Sequence, residues 1–190
     1  YDPDVAGSIT WVARNVIGQM TEIIETSDLY VTKEFLEKAK EHIDAILALG
    51  DPSLLSISLV SPSDYGKIRR RIASSKFFNK YGELEINQDV YLLKKPKSTL
   101  VYQDTDSNYY IIRKVQQFYF QCDEFGRNSK RCDPSLIKQA METMIHYNEI
   151  QSLVFNEIVN LSSLGFSFEG SFVVARHLNR KKKYMGKKSC

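Results

Sequence analysis

The chain has 190 residues, 43% hydrophobic, 26% charged and 12% aromatic, proportions that exclude collagen-like, disordered and disulfide-scaffold classes and leave room for one domain or one with an appendage. Twenty-six Lys and Arg against 23 Asp and Glu give a net charge of +3, too small to announce a nucleic-acid partner unless the charges cluster. No run approaches the ~18 apolar residues of a membrane span and YDPDVAGSIT lacks a signal pattern, so an intracellular chain with no membrane partner is expected, read as a piece of something longer because it starts at Tyr1.

From Val5 to about Glu25, Ile9, Val12, Val16, Ile17, Met20, Ile23 and Ile24 recur at three- and four-residue steps, the period of an amphipathic helix. A second helix is predicted from Phe35, Leu36, Ala39, Ile43, Ile46 and Leu47, with Thr32 as N-cap and Gly50-Asp51-Pro52 as stop. Residues 53–98 mix a short apolar run, SLLSISLV, a basic helical stretch, SDYGKIRRRIASSKFF, and turn-rich KYGELEINQDVYLLKKPKS. Residues 53–98 are therefore read as an insertion or subdomain, with Arg69-Arg70-Arg71 facing water.

Thr99 to Gln103 and Ser107 to Arg113 are rich in β-branched and aromatic residues and are joined through Asp-Thr-Asp, which predicts a β-hairpin with acid at its tip. Asp133-Pro134 then opens a helix whose apolar face runs from Leu136 to Ile158 and which ends near Ser163. After Gly165 the alternation of Phe166, Phe168, Phe172 and Val174 predicts a strand leading into the basic end RHLNRKKKYMGKK. The elements add up to an α+β fold, an antiparallel sheet layered on long helices.

The cysteines, Cys122, Cys132 and Cys190, are odd in number and lack C-x-x-C spacing, which disfavours a disulfide framework or zinc knuckle and points to reduced thiols. Cys122 and Cys132 flank DEFGRNSKR and could meet across it. His42, His146 and His177 show no paired metal-ligand spacing and are assigned no chemistry.

Two features carry chemistry. Asp104 and Asp106 lie two apart, so an extended tip presents both carboxylates to one side, the arrangement a hard cation needs. The plainer reading is a polar turn. Arg180 to Tyr184 sets four cations beside an aromatic residue, suited either to neutralising phosphates or to bonding the acceptors shared by all base pairs in the minor groove. A basic tail that binds polyanions weakly, or a localisation signal, is the alternative.

YQDTDS, residues 102–107, resembles the YGDTDS signature of family B DNA polymerases, whose palm hairpin carries metal-binding aspartates. The resemblance implies that Asp106 is the principal ligand of two catalytic Mg2+ ions, that Asp104 is its less essential companion, and that Thr105 and Ser107 support the tip. Gln103 stands where the family has glycine. KKKYMG is similar to the family's KKxY motif, which implies primer-template contacts by Lys181, Lys182 and Lys183 and packing of Tyr184 on the primer backbone. FSFEGSF resembles the strand before that motif, implying that Glu169 lies near the metals. VAGSITWVARNVIG resembles SVTxxGR, matching at Ser8, Thr10 and Arg14, with Ala13 in place of glycine.

The three motifs keep the family's order and bracket almost the whole chain, and against the family's spacing residues from about 40 to 98 form a longer connection to the hairpin, which reads as an insertion. They imply an antiparallel palm sheet with a metal-binding hairpin, deoxynucleoside triphosphates as substrates, and DNA-templated synthesis by two-metal phosphoryl transfer in the nucleus or at a cytoplasmic viral replication site. The family's DxxSLYPS strand and KxxxNSxYG helix are missing, so residues 1–190 read as the later part of a palm, inert alone, with the earlier palm, fingers, exonuclease and thumb elsewhere in the parent polymerase. Two rivals are a nucleotide-sugar transferase using D-x-D and a non-enzymatic nucleic-acid-binding module using the basic segment.

Overall fold

The computed structural model describes residues 3–68, 81, 85–104, 107–123, 133–159, 166–167, 171–177 and 184–189. They form a mixed α+β fold of helices and three small antiparallel sheets. The expected first helix is α1, Pro3–Glu25. Its C-terminal half is anchored: Ile17, Met20, Ile23 and Ile24 are buried, whereas Trp11 is 68% and Val12 49% exposed. A fully buried Ile or Met side chain contributes ~1.5–3 kcal/mol relative to exposure, so these four tie α1 to the core.

The chain then enters β1, Asp28–Thr32, a strand the sequence reading did not anticipate. Four of its five residues are buried, so it has no alternation to betray it. Thr32 ends the strand and caps the next helix, its hydroxyl accepting from the Phe35 N–H at 3.1 Å. The single helix expected over this stretch is two: α2, Lys33–Lys38, and α3, Lys40–Leu47, broken at Ala39. Gly50, at φ +77°, takes the left-handed conformation that stops the helix.

β2, Ser56–Leu59, and β3, Val90–Lys94, complete the first sheet in the order β1-β3-β2. β3 pairs with β1 from Asp28↔Lys94 to Thr32↔Val90 and with β2 from Ser56↔Lys94 to Leu59↔Tyr91. Between them lies α4, Tyr65–Ile68, the described start of the basic stretch; Arg69, Arg70 and Arg71 lie outside the described residues. Ile43, Ile46, Leu54, Leu55 and Leu93 share one apolar core with Ile24, Tyr147 and Phe155, so the 40–98 stretch packs into the body that α1 helps to form.

The second sheet is the expected hairpin, β4, Thr99–Gln103, and β5, Asn108–Ile111. A helix that the sequence reading left unassigned follows, α5, Arg113–Phe120, burying Val115 and Tyr119 four residues apart. Gln121, at φ 52°, closes it. The long helix is α6, Pro134–Val159, starting where expected: the Asp133 carboxylate accepts from the Ser135 N–H at 2.8 Å and the Asp133 carbonyl from the Ile137 N–H. The third sheet pairs β6, Ser171–His177, with β7, Tyr184–Ser189, from Ser171↔Ser189 to His177↔Tyr184. The stretch read as a basic end is thus in part a strand. Among the described residues no helix is long and apolar enough to cross a membrane.

Candidate functional site

The β4–β5 register runs Thr99↔Ile111, Leu100↔Tyr110, Tyr102↔Tyr109 and Gln103↔Asn108, with a slip between Leu100 and Tyr102. Opposed residues share a face, so Leu100, Gln103, Asn108 and Tyr110 lie on one side and Thr99, Tyr102, Tyr109 and Ile111 on the other. Val101 is the extra residue of the bulge; without it Tyr102 and Gln103 would exchange faces and carry the acidic tip round with them.

The first face meets α1. Gln103 Nε2 donates to Thr21 Oγ1 at 3.1 Å, and the Thr21 hydroxyl donates to the Ile17 carbonyl one turn back at 2.8 Å. Gln103, the residue that departs from the YGDTDS motif, therefore ties the strand to the helix. Tyr110 packs against the main core, where burial pushes its hydroxyl pKa up. Its hydroxyl and both ends of the Asn108 amide find no hydrogen-bond partner among the described residues. That face is held chiefly by packing, since unpaired buried polar groups oppose it.

The second face carries the acid. Tyr102 Oη donates to Asp104 Oδ2 at 3.4 Å, and the Tyr102 and Tyr109 rings lie 5.8 Å apart, tilted by 57°. The Asp104 N–H donates to the Ser107 carbonyl at 2.9 Å, so the strands stay closed up to the residues flanking the tip. Both flanking residues are half-buried. Thr105 and Asp106 fall between them, outside the described residues.

A carboxylate at a strand end beside a phenol hydroxyl offers one hard oxygen ligand of the kind magnesium takes, completing its shell with water and phosphate. Among the described residues no three or more His, Cys, Asp or Glu side chains gather to hold a metal. The two-ion expectation thus depends on Asp106 and on Glu169, which also lies outside the described residues.

The other expected site residues are scattered along the chain. Arg14 is exposed on α1. Lys181, Lys182 and Lys183 fall between β6 and β7, outside the described residues, and Tyr184 opens β7 opposite His177. Cys122 is half-buried just past α5, while Cys132 and Cys190 lie outside the described residues. The contact that sequence reasoning missed is Gln103 with Thr21, 82 residues apart and joined only by the fold.

Compared with models of protein families, with curated proteins and with solved structures, the chain finds no match.

Proposed function

We propose that this chain is part of the palm of a family B DNA polymerase and takes part in adding deoxynucleotides to a primer 3′ end on a DNA template. The observation that supports this most is the setting of YQDTDS: the motif begins on β4, crosses the closing end of an antiparallel hairpin, and puts Asp104 on the face away from α1. Further along, the basic KKKY stretch links two paired strands and meets β7 at Tyr184. Acid beside one strand pair, followed in sequence by cations between the strands of a second, suits a protein that must handle both a metal-bound triphosphate and a duplex backbone.

In this reading Asp106 and Asp104 hold Mg2+, with Glu169 close by, and further ligands come from the rest of the parent chain. The ions supply activation of the primer hydroxyl and neutralisation of charge on the transferring phosphoryl group. Tyr102 orients the Asp104 carboxylate by its hydrogen bond, Gln103 fixes the strand against α1, and Lys181, Lys182, Lys183 and Tyr184 position the primer-template.

The test is primer extension by the complete polymerase carrying this segment, with Mg2+ and the Asp106→Asn variant. Loss of nucleotide addition with duplex affinity largely kept is expected, since a lost metal ligand affects chemistry more than docking. Extension at the wild-type rate would end the assignment of Asp106. DNA binding that needs neither Mg2+ nor Asp106, with no extension, would leave a non-enzymatic nucleic-acid-binding module.

A further inference from the structure

His42 on α3 and His146 on α6 stand 104 residues apart in sequence, yet their Nδ1 atoms are 3.0 Å apart. The ring centroids are 5.3 Å apart, the Nδ1 separation plus about two ring radii, so the imidazoles meet nitrogen to nitrogen. A cation bound by both rings would need the lone pairs to converge on a point with a bond length on each side. Here they point at each other across hydrogen-bond distance, and one proton fills the gap. Once both rings have taken up a proton and become imidazolium, two charged N–H donors stand head to head.

We propose that the His42–His146 pair is a proton-sensitive clamp at the rim of the α3–α6 seam, closed when the pair shares one proton and forced apart when acid protonates both rings. Its position gives it leverage. His42 precedes Ile43 and His146 precedes Tyr147, both buried in the seam, and the Tyr147 hydroxyl donates to the Leu54 carbonyl just beyond α3.

The charges acting on His146 belong to the same two helices. Burial, then His42, holds its pKa below the ordinary value, while Glu41, Glu142 and Glu149 pull it back up. Glu142 is shared with Lys138 at 4.0 Å. On the neighbouring helices, α2 carries Lys33, Glu34, Glu37 and Lys38, with Lys38 paired to Glu34. On α5, Arg113 is bonded to Gln116, with Lys114 beside it, and α1 carries Arg14, Glu22 and Glu25. With the folded-state pKa depressed, the stabilisation is complete above the unfolded value of about 6.5 and is lost as pH falls through the folded one.

The experiment is urea unfolding of the whole chain between pH 7.5 and 5, for wild type, His42→Asn and His146→Asn, together with 15N NMR of the wild-type imidazoles. The wild-type unfolding constant is expected to rise by up to about tenfold per pH unit below 6.5, His146→Asn to lose that rise, and His42→Asn to keep only the weaker part that burial of His146 alone produces. At pH 7.5 one Nδ1 is expected to carry a proton and the other none, and the protection factors of the Ile43–Leu47 amides, taken against the slower intrinsic exchange in acid, are expected to fall at pH 5. Equal acid sensitivity in the variants, or rings that titrate independently, would overturn the clamp. So would stabilisation of the wild type by Zn2+ that either variant abolishes, since the pair would then be a chelate.

Discussion

An ammonium buried beside one carbonyl must either disperse its charge or shed it. Lys95 is 3% exposed, its Nζ donates to the Ile24 carbonyl near the end of α1 at 2.8 Å, and burial brings its pKa down to about 7. The folded chain releases this proton near 7, the unfolded chain near 10.5, so in that window the unfolded state holds more protons and stability rises with pH. Between pH 7.5 and 9.5 the wild type is expected to gain about 2 kcal/mol in urea unfolding, and Lys95→Met is expected to show little of that gain. The buried hydroxyls of Tyr110 and Tyr147 act the other way above pH 10. Their raised pKa values keep the proton on the fold after the unfolded chain has lost it, so stability then falls. Gln151, fully buried with neither end of its amide partnered among the described residues, is a further cost that the core carries.

At the scale of elements, α5 and α6 are locked by a buried hydroxyl pair, Tyr119 with Thr143 at 2.7 Å. Tyr119→Phe leaves the Thr143 oxygen without its partner and is expected to cost about 1–2 kcal/mol; adding Thr143→Val to it removes the orphan and is expected to cost less than the sum of the single changes. A double-mutant cycle by urea unfolding reads the difference. Circular dichroism is the signal to follow, because Trp11, the single tryptophan, is already exposed in the fold. The elements legible beforehand were those with a local signature. α1 and α6 have long apolar stripes, α6 has its Asp133-Pro134 start, and the hairpin has β-branched and aromatic runs either side of a turn. β1 and α5 lack such signatures, being short and defined by what packs on them: β1 is buried along most of its length, and α5 is an eight-residue helix of strand-prone Val, Phe and Tyr.

Over the whole molecule the small net charge of +3 conceals an uneven distribution, with the cations of Arg180 to Lys183 collected between β6 and β7. On the polymerase proposal, Lys182→Ala in the complete parent protein is expected to weaken primer-template binding and to lower the slope of log affinity against log salt by about 1, measured by fluorescence anisotropy. Unchanged affinity and slope would return these lysines to a solvated charge run.

Local chemistry, then, was readable in the chain by itself: helix periods, the Asp133 cap, the Gly50 stop and the acidic hairpin each depend on residues within a few positions of one another. So did the motifs on which the polymerase proposal rests. What only tertiary structure decided are the long-range meetings: β1 with β3, Gln103 with Thr21, Lys95 with the end of α1, and His42 with His146. Pairings of this kind carry no spacing rule. They arise because burying the shared core of α1, α3, β3 and α6 outweighs the entropy of ordering the chain, and side chains at the margins of that core are then set against partners that sequence spacing cannot name.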